Sequence, residues 1–104
     1  MTSKGKFNSR RTEVDGIVFD SKKEAGRYQE LSLLVKAGQI SDLELQVVYP
    51  MIVNKHKVCS YRADFRYKEN GKTVVEDVKG VRTALYILKK KLLRACYGID
   101  ICET

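Results

Sequence analysis

Hydrophobic and polar residues recur along this chain with two periods, near 2 and near 3.6, and the switches between them predict its elements. Short apolar segments flank Asp15-Gly16 in the run Thr12-Glu13-Val14-Asp15-Gly16-Ile17-Val18-Phe19, the signal of a tight hairpin. Ser21, followed three residues later by Glu24, forms a capping box. Ala25, Tyr28, Leu31, Leu34 and Val35 then recur at helical spacing until Gly38 supplies a stop. Residues 40–53 are rich in strand formers, with Pro50 indicating a sheet edge or a bend. The stretches 58–67 and 72–79 join through Glu69-Asn70-Gly71 into an antiparallel hairpin. Residues 82–97 predict a second helix, with Leu85, Leu88, Leu92 and Ala95 as its apolar stripe and Gly98 as its end, before a short last strand at 99–102.

The order hairpin, helix, three strands, helix, strand belongs to the α/β or α+β class, with a mixed sheet of about four strands flanked by two helices and preceded by a hairpin. A chain of 104 residues with 43% hydrophobic content has room for one core, so residues 12–104 are expected to form a single domain. Residues 1–11 carry Lys4, Lys6, Arg10 and Arg11 without an acid, the composition of a flexible basic tail. No apolar run approaches the roughly 18 to 20 residues of a membrane span, and the N-terminus lacks the apolar core of a signal peptide, so a cytoplasmic protein is expected. Cys59, Cys96 and Cys102 are odd in number and show no CxxC spacing, which predicts reduced, mostly buried thiols in place of a disulfide or zinc framework.

A formal charge of +7 favours a polyanionic partner. The chemistry that could act on one lies in the central hairpin, where alternation puts Val75, Asp77 and Lys79 on one strand face and Val74, Glu76 and Val78 on the other. Asp77 and Lys79 are thus about 7 Å apart along the backbone, and Asp64 on the antiparallel neighbour can reach the same place. Two carboxylates and an amine suit phosphodiester hydrolysis: the carboxylates hold Mg²⁺ or Mn²⁺, and the amine orients a water and neutralises developing charge. The same spacing also fits a plain ion pair between Lys79 and an aspartate. Glu24 is accounted for by the capping box alone, yet its spacing to Tyr28, Leu31 and Val35 puts it on the inward stripe. Glu76, on the opposite face, is expected to be solvated or ion-paired.

On the second helix Arg82, Lys89, Lys90, Lys91 and Arg94 supply five positive charges without an acid among them. Such a run is usually a solvated face; beside a hydrolytic strand it is a grip on phosphates, to which Arg10 and Arg11 of the tail can add. Tyr61, Tyr67 and Tyr86 could stack on bases, but aromatic residues in strands and helices are more often core, and the core is where they are expected.

Asp64, followed after a hairpin turn by Asp77-Val78-Lys79, with Glu24 on an upstream helix and another helix downstream, resembles the PD-(D/E)XK nuclease superfamily. More closely, the chain from Thr12 to Ala25, through Tyr61-Arg62-Ala63-Asp64-Phe65 and Val75-Glu76-Asp77-Val78-Lys79-Gly80, to Tyr97-Gly98-Ile99 resembles small phage-encoded endonuclease-like proteins. The resemblance covers nearly everything after the basic tail. It implies a restriction-endonuclease-like core, with Asp64 and Asp77 as metal ligands, Lys79 as the catalytic lysine and Glu24 as a third carboxylate. One departure is Ala63, where the superfamily's name-giving proline would stand.

A Mg²⁺- or Mn²⁺-dependent endodeoxyribonuclease is therefore expected, at work in a phage-infected or bacterial cytosol and needing no small-molecule cofactor. It would meet DNA mainly through phosphates, because a domain this small has little room for base readout. Branched or Holliday-type junctions are among the substrates, and cutting them would require two sites and hence a homodimer. Two other readings stay open: a non-catalytic DNA-binding accessory protein with a nuclease-like fold, and an RNA-processing nuclease. Intact Asp64, Asp77 and Lys79 argue against the first, and shared phosphate chemistry keeps the second.

Overall fold

Three two-residue turns set the antiparallel strand pairings, and each has positive φ at both central residues, as hairpin turns of the favoured twist require. They are Asp15-Gly16 (54° and 77°), Asn54-Lys55 (50° and 67°) and Asn70-Gly71 (53° and 78°). The computed structural model describes residues 11–79 and 82–104; Arg10 and the rest of the tail before it lie outside the described residues. The chain divides into two compact units, Met1–Gln39 and Ile40–Thr104.

In the first unit β1 (Thr12–Val14) and β2 (Ile17–Phe19) pair antiparallel and lead into α1 (Lys22–Lys36). Ser21 caps the helix, its side chain accepting the backbone N–H of Glu24 at 3.1 Å. The Tyr28 hydroxyl donates to Asp15 at 3.2 Å, and its ring lies 5.0 Å from that of Phe19, which ties helix to hairpin. Ala25 and Leu31 are buried, as the helical spacing predicts, while Val35 is exposed; Phe19 of β2 is buried with them.

The second unit holds β3 (Ser41–Val53), β4 (His56–Glu69), β5 (Lys72–Asp77), α2 (Ala84–Tyr97) and β6 (Ile101–Glu103). Its sheet runs β3-β4-β5-β6, antiparallel except for the last pair, which is parallel. The architecture is therefore α+β, with a mixed four-stranded sheet and an N-terminal hairpin. Pro50 is tolerated because β3 is an edge strand, where a missing N–H costs no ladder bond on the open side. The chain needs α2 as the crossover that makes β6 parallel to β5. Tyr86 and Leu93 of α2 pack with Tyr49, Met51, Tyr61, Ala63, Val75 and Ile101 to form the core of this unit. No helix is long and apolar enough to cross a membrane among the described residues.

Three expectations are corrected here. Leu85 and Leu88 are 59% and 53% exposed and Ala95 is exposed, so the stripe they make with Leu92 is not the one that meets the sheet. Polar anchors set the helix rotation instead: the Tyr86 hydroxyl donates to Glu103 at 2.5 Å and the Tyr97 hydroxyl to the Pro50 carbonyl at 2.6 Å. Next, β5 ends at Asp77, two residues short of Lys79, because the carboxylate of Asp64 takes the Val78 N–H at 2.8 Å. Finally, the three cysteines are free but not mostly buried: Cys59 is half-buried, and Cys96 and Cys102 are exposed.

Candidate active site

The β4–β5 register pairs Phe65 with Glu76, and where that ladder ends the carboxylate of Asp64 accepts the N–H of Val78, the residue after Asp77, at 2.8 Å. The two carboxylates that the hairpin predicts are therefore brought together at the end of the ladder. Asp77 is only 2% exposed. Its Oδ2 accepts from the Tyr61 hydroxyl and from the Lys79 ammonium, the latter at 2.9 Å. The Lys79 ammonium also lies 4.0 Å from the centre of the Tyr86 ring, an attraction between a cation and the negative face of an aromatic. Although Lys79 has left the strand, its backbone is held, since its N–H donates to the Thr104 carbonyl at 3.2 Å and the Thr104 N–H donates to the Asp77 carbonyl at 3.0 Å.

Burial, and then the hydrogen bond to Asp77, push the Tyr61 hydroxyl far above the ordinary tyrosine range. Tyr86 is raised in the same direction by burial and by its bond to Glu103. Both therefore remain protonated donors.

Glu103 is a site residue that local sequence patterns do not mark. The parallel β5–β6 register sets it directly beside Asp77. Its Oε2 accepts from the Tyr86 hydroxyl at 2.5 Å and from Lys90 at 3.1 Å, and its Oε1 is paired with Arg82. The Tyr86 bond, followed by those to Lys90 and Arg82, holds its carboxyl at about 2, below the ordinary glutamate range.

The basic residues around α2 thus differ in kind, although the helix itself carries no acid. Arg82 and Lys90 are engaged by Glu103, and Arg94 is paired with Asp100. Lys89 and Lys91 have no ion-pair partner among the described residues, the first half-buried and the second exposed. The acids come from β6 and the turn before it, outside the helix sequence. Glu76 is corrected as well: it is 0% exposed, accepting from the Tyr67 hydroxyl at 2.7 Å and from Thr104 Oγ1 at 3.1 Å. Facing away from Asp77 does not place it in solvent.

Glu24 belongs to the first unit and is 6% exposed on α1. Arg11 is exposed, and Arg10 lies outside the described residues. Among the described residues no group of three or more His, Cys, Asp and Glu side chains is gathered as a metal cage. The pair Asp64 and Asp77 still suits a hard cation that takes one or two carboxylates and completes its shell with water and phosphate oxygens, as Mg²⁺ does.

A family model described as "Protein of unknown function (DUF1064)" matches residues 4–101 of the chain. No curated protein and no solved structure matches it.

Proposed function

Since the chain belongs to the DUF1064 family of proteins of unknown function, its activity has to be argued from the site, and we propose that it is a divalent-metal-dependent nuclease hydrolysing DNA phosphodiester bonds at Asp64, Asp77 and Lys79. The observation that carries this reading is the almost fully buried Asp77 carboxylate between Tyr61 and Lys79, with the Asp64 carboxylate on the neighbouring strand bound to the N–H of the next residue, Val78. Burying the Asp77 carboxylate is a poor stabilising device, because taking it out of water costs several kcal/mol, roughly cancelling its attraction to the partly exposed Lys79 ammonium. Well-packed apolar residues would serve stability as well. Two carboxylates and an amine concentrated where a ladder ends are better explained by the chemistry they can do.

Asp64 and Asp77 are the residues that would hold Mg²⁺ or Mn²⁺, whose contribution when bound is to polarise the phosphate and acidify a bound water. The protein's own groups do the rest. The Val78 N–H fixes the Asp64 carboxylate, and the Tyr61 hydroxyl fixes that of Asp77. Tyr61 stays protonated, so it orients Asp77 as a donor and does not act as a base. Lys79, with its side chain 24% exposed, is near enough to solvent to meet substrate and neutralise charge developing on the phosphoryl oxygens. The resemblance alone gives Glu24 a part as a further carboxylate.

The test is incubation with linear duplex, single-stranded and four-way-junction DNA, and with RNA, in Mg²⁺, in Mn²⁺ and in EDTA. Cleavage of at least one DNA substrate with metal, abolished by EDTA, is expected. Cleavage of none overturns the reading, and cleavage of RNA alone moves it to RNA processing. In the same assay Glu24→Gln should keep the melting temperature, because glutamine also serves a capping box, and should lower the rate. A wild-type rate removes Glu24 from the site.

A further inference from the structure

Arg82, Lys90, Lys91 and Arg94 line a cavity of about 370 Å³ together with two carboxylates, Glu103 and Asp100. Four cations against two acids leave it net positive. Its volume falls at the lower end of the roughly 300–1,000 Å³ of ordinary ligand pockets, so it has room for more than a bare inorganic ion. Part of its lining is apolar, from Ile87 and the Tyr86 ring.

The cations divide into two sets. Arg82 and Lys90 are held by Glu103, which is itself fixed by the Tyr86 hydroxyl. Lys91 has no ion-pair partner among the described residues, and the Arg94 to Asp100 pair has both side chains 70% exposed. A surface pair of this kind is weak and readily exchanges its carboxylate for a phosphate. The cavity also adjoins the reaction centre: Tyr86, which lines it, carries the Lys79 ammonium over its ring, and Glu103 is the cross-strand neighbour of Asp77.

We propose that this cavity receives one phosphate-bearing nucleotide unit of a DNA strand next to the bond that is cut. Lys91 and Arg94 meet its phosphate, and Ile87 lies against its sugar or base. Glu103 keeps Arg82 and Lys90 fixed on the wall nearest Tyr86. The choice of DNA rests on the nuclease reading, but the contact can be measured without any cleavage.

The measurement is fluorescence anisotropy of a short fluorescein-labelled DNA duplex in EDTA, titrated with wild type, with the double variant Lys91→Gln/Arg94→Gln and with Lys55→Gln as a charge control on the β3–β4 turn. Circular dichroism confirms that each is folded. Losing the one phosphate that Lys91 and Arg94 share should reduce the slope of log affinity against log salt by about 0.9 in the double variant, the value for one duplex phosphate. Lys55→Gln should leave the slope unchanged. An unchanged slope in the double variant, an equal drop in the control, or no binding by wild type overturns the cavity's role. A wild type that cuts DNA while the double variant keeps its slope overturns the cavity alone. A wild type that shows the expected slope change but cuts nothing overturns the nuclease reading and keeps the cavity.

Discussion

A carboxylate surrounded by three donors stays ionised further into acid than a free one, and Glu103 is in that position. Its carboxyl is lowered from 4.5 to about 2 by Tyr86, Lys90 and Arg82. For a lowered carboxylate, the stabilisation is fully present above the unfolded value and is lost as pH falls through the folded one. The melting temperature of wild type should therefore exceed that of Glu103→Gln at neutral pH, with the gap shrinking from about pH 4.5 and closing near pH 2. A gap that stays constant down to pH 2 would show that the three donors do not hold the charge. Residues of this kind mark the limit of local sequence patterns. Asp64 and Asp77 are legible because Asn70-Gly71 sets the hairpin register and alternation does the rest, whereas Lys79 reaches Asp77 from beyond the end of β5, held there by Thr104. Glu103 is legible only once β6 is known to lie parallel to β5 with Asp77 opposite it, and that information is carried by the crossover and by no local motif. Glu76 illustrates the converse: alternation assigns its face correctly, but a face is not an environment, and Tyr67 and Thr104 supply donors that solvent would otherwise provide.

Elements are more legible in extent than in orientation. The bounds of α1 follow from Ser21 and Gly38 and the end of α2 from Gly98, which at φ 69° accepts the left-handed conformation of a helix end, while the start of α2 lies at Ala84, after the cap Thr83, and not at residue 82. The rotation of α2 does not follow, because its leucines offer a second apolar stripe at helical spacing. Tyr86, Lys90 and Tyr97 reach polar partners on β6 and β3, and those bonds turn Leu93 inward and Leu85 and Leu88 outward. Leu93→Ala should then cost about 2–5 kcal/mol in chemical denaturation, the range for emptying a core leucine site. Leu88→Ala should stay within about 0.5 kcal/mol, as surface substitutions do. Equal losses in the two variants would contradict this rotation. The end of β5 has a similar cause: Asp64 replaces a backbone acceptor with a carboxylate, so the ladder stops where the candidate site begins.

At the scale of the whole molecule, the α+β class and the strand order along the chain could be read from periodicity and from the two of the three hairpin turns that contain glycine. The third, Asn54-Lys55, lacks the glycine that marks the others and leaves only an extended run in the sequence, although β3 and β4 form the longest pairing in the sheet. The central claim for the molecule is that one buried cluster performs metal-dependent hydrolysis, and that Asp77 and Lys79 are kept for chemistry more than for stability. It is tested most directly by the DNA cleavage rate in Mg²⁺ of wild type, Asp77→Asn and Lys79→Ala, each shown to be folded by circular dichroism. Asparagine at position 77 keeps an acceptor for Tyr61, so the fold should survive. Both variants should lose about 100-fold or more of the rate, the scale of removing one group that stabilises developing charge. Variants that cut at the wild-type rate, with the same dependence on metal, would contradict the account.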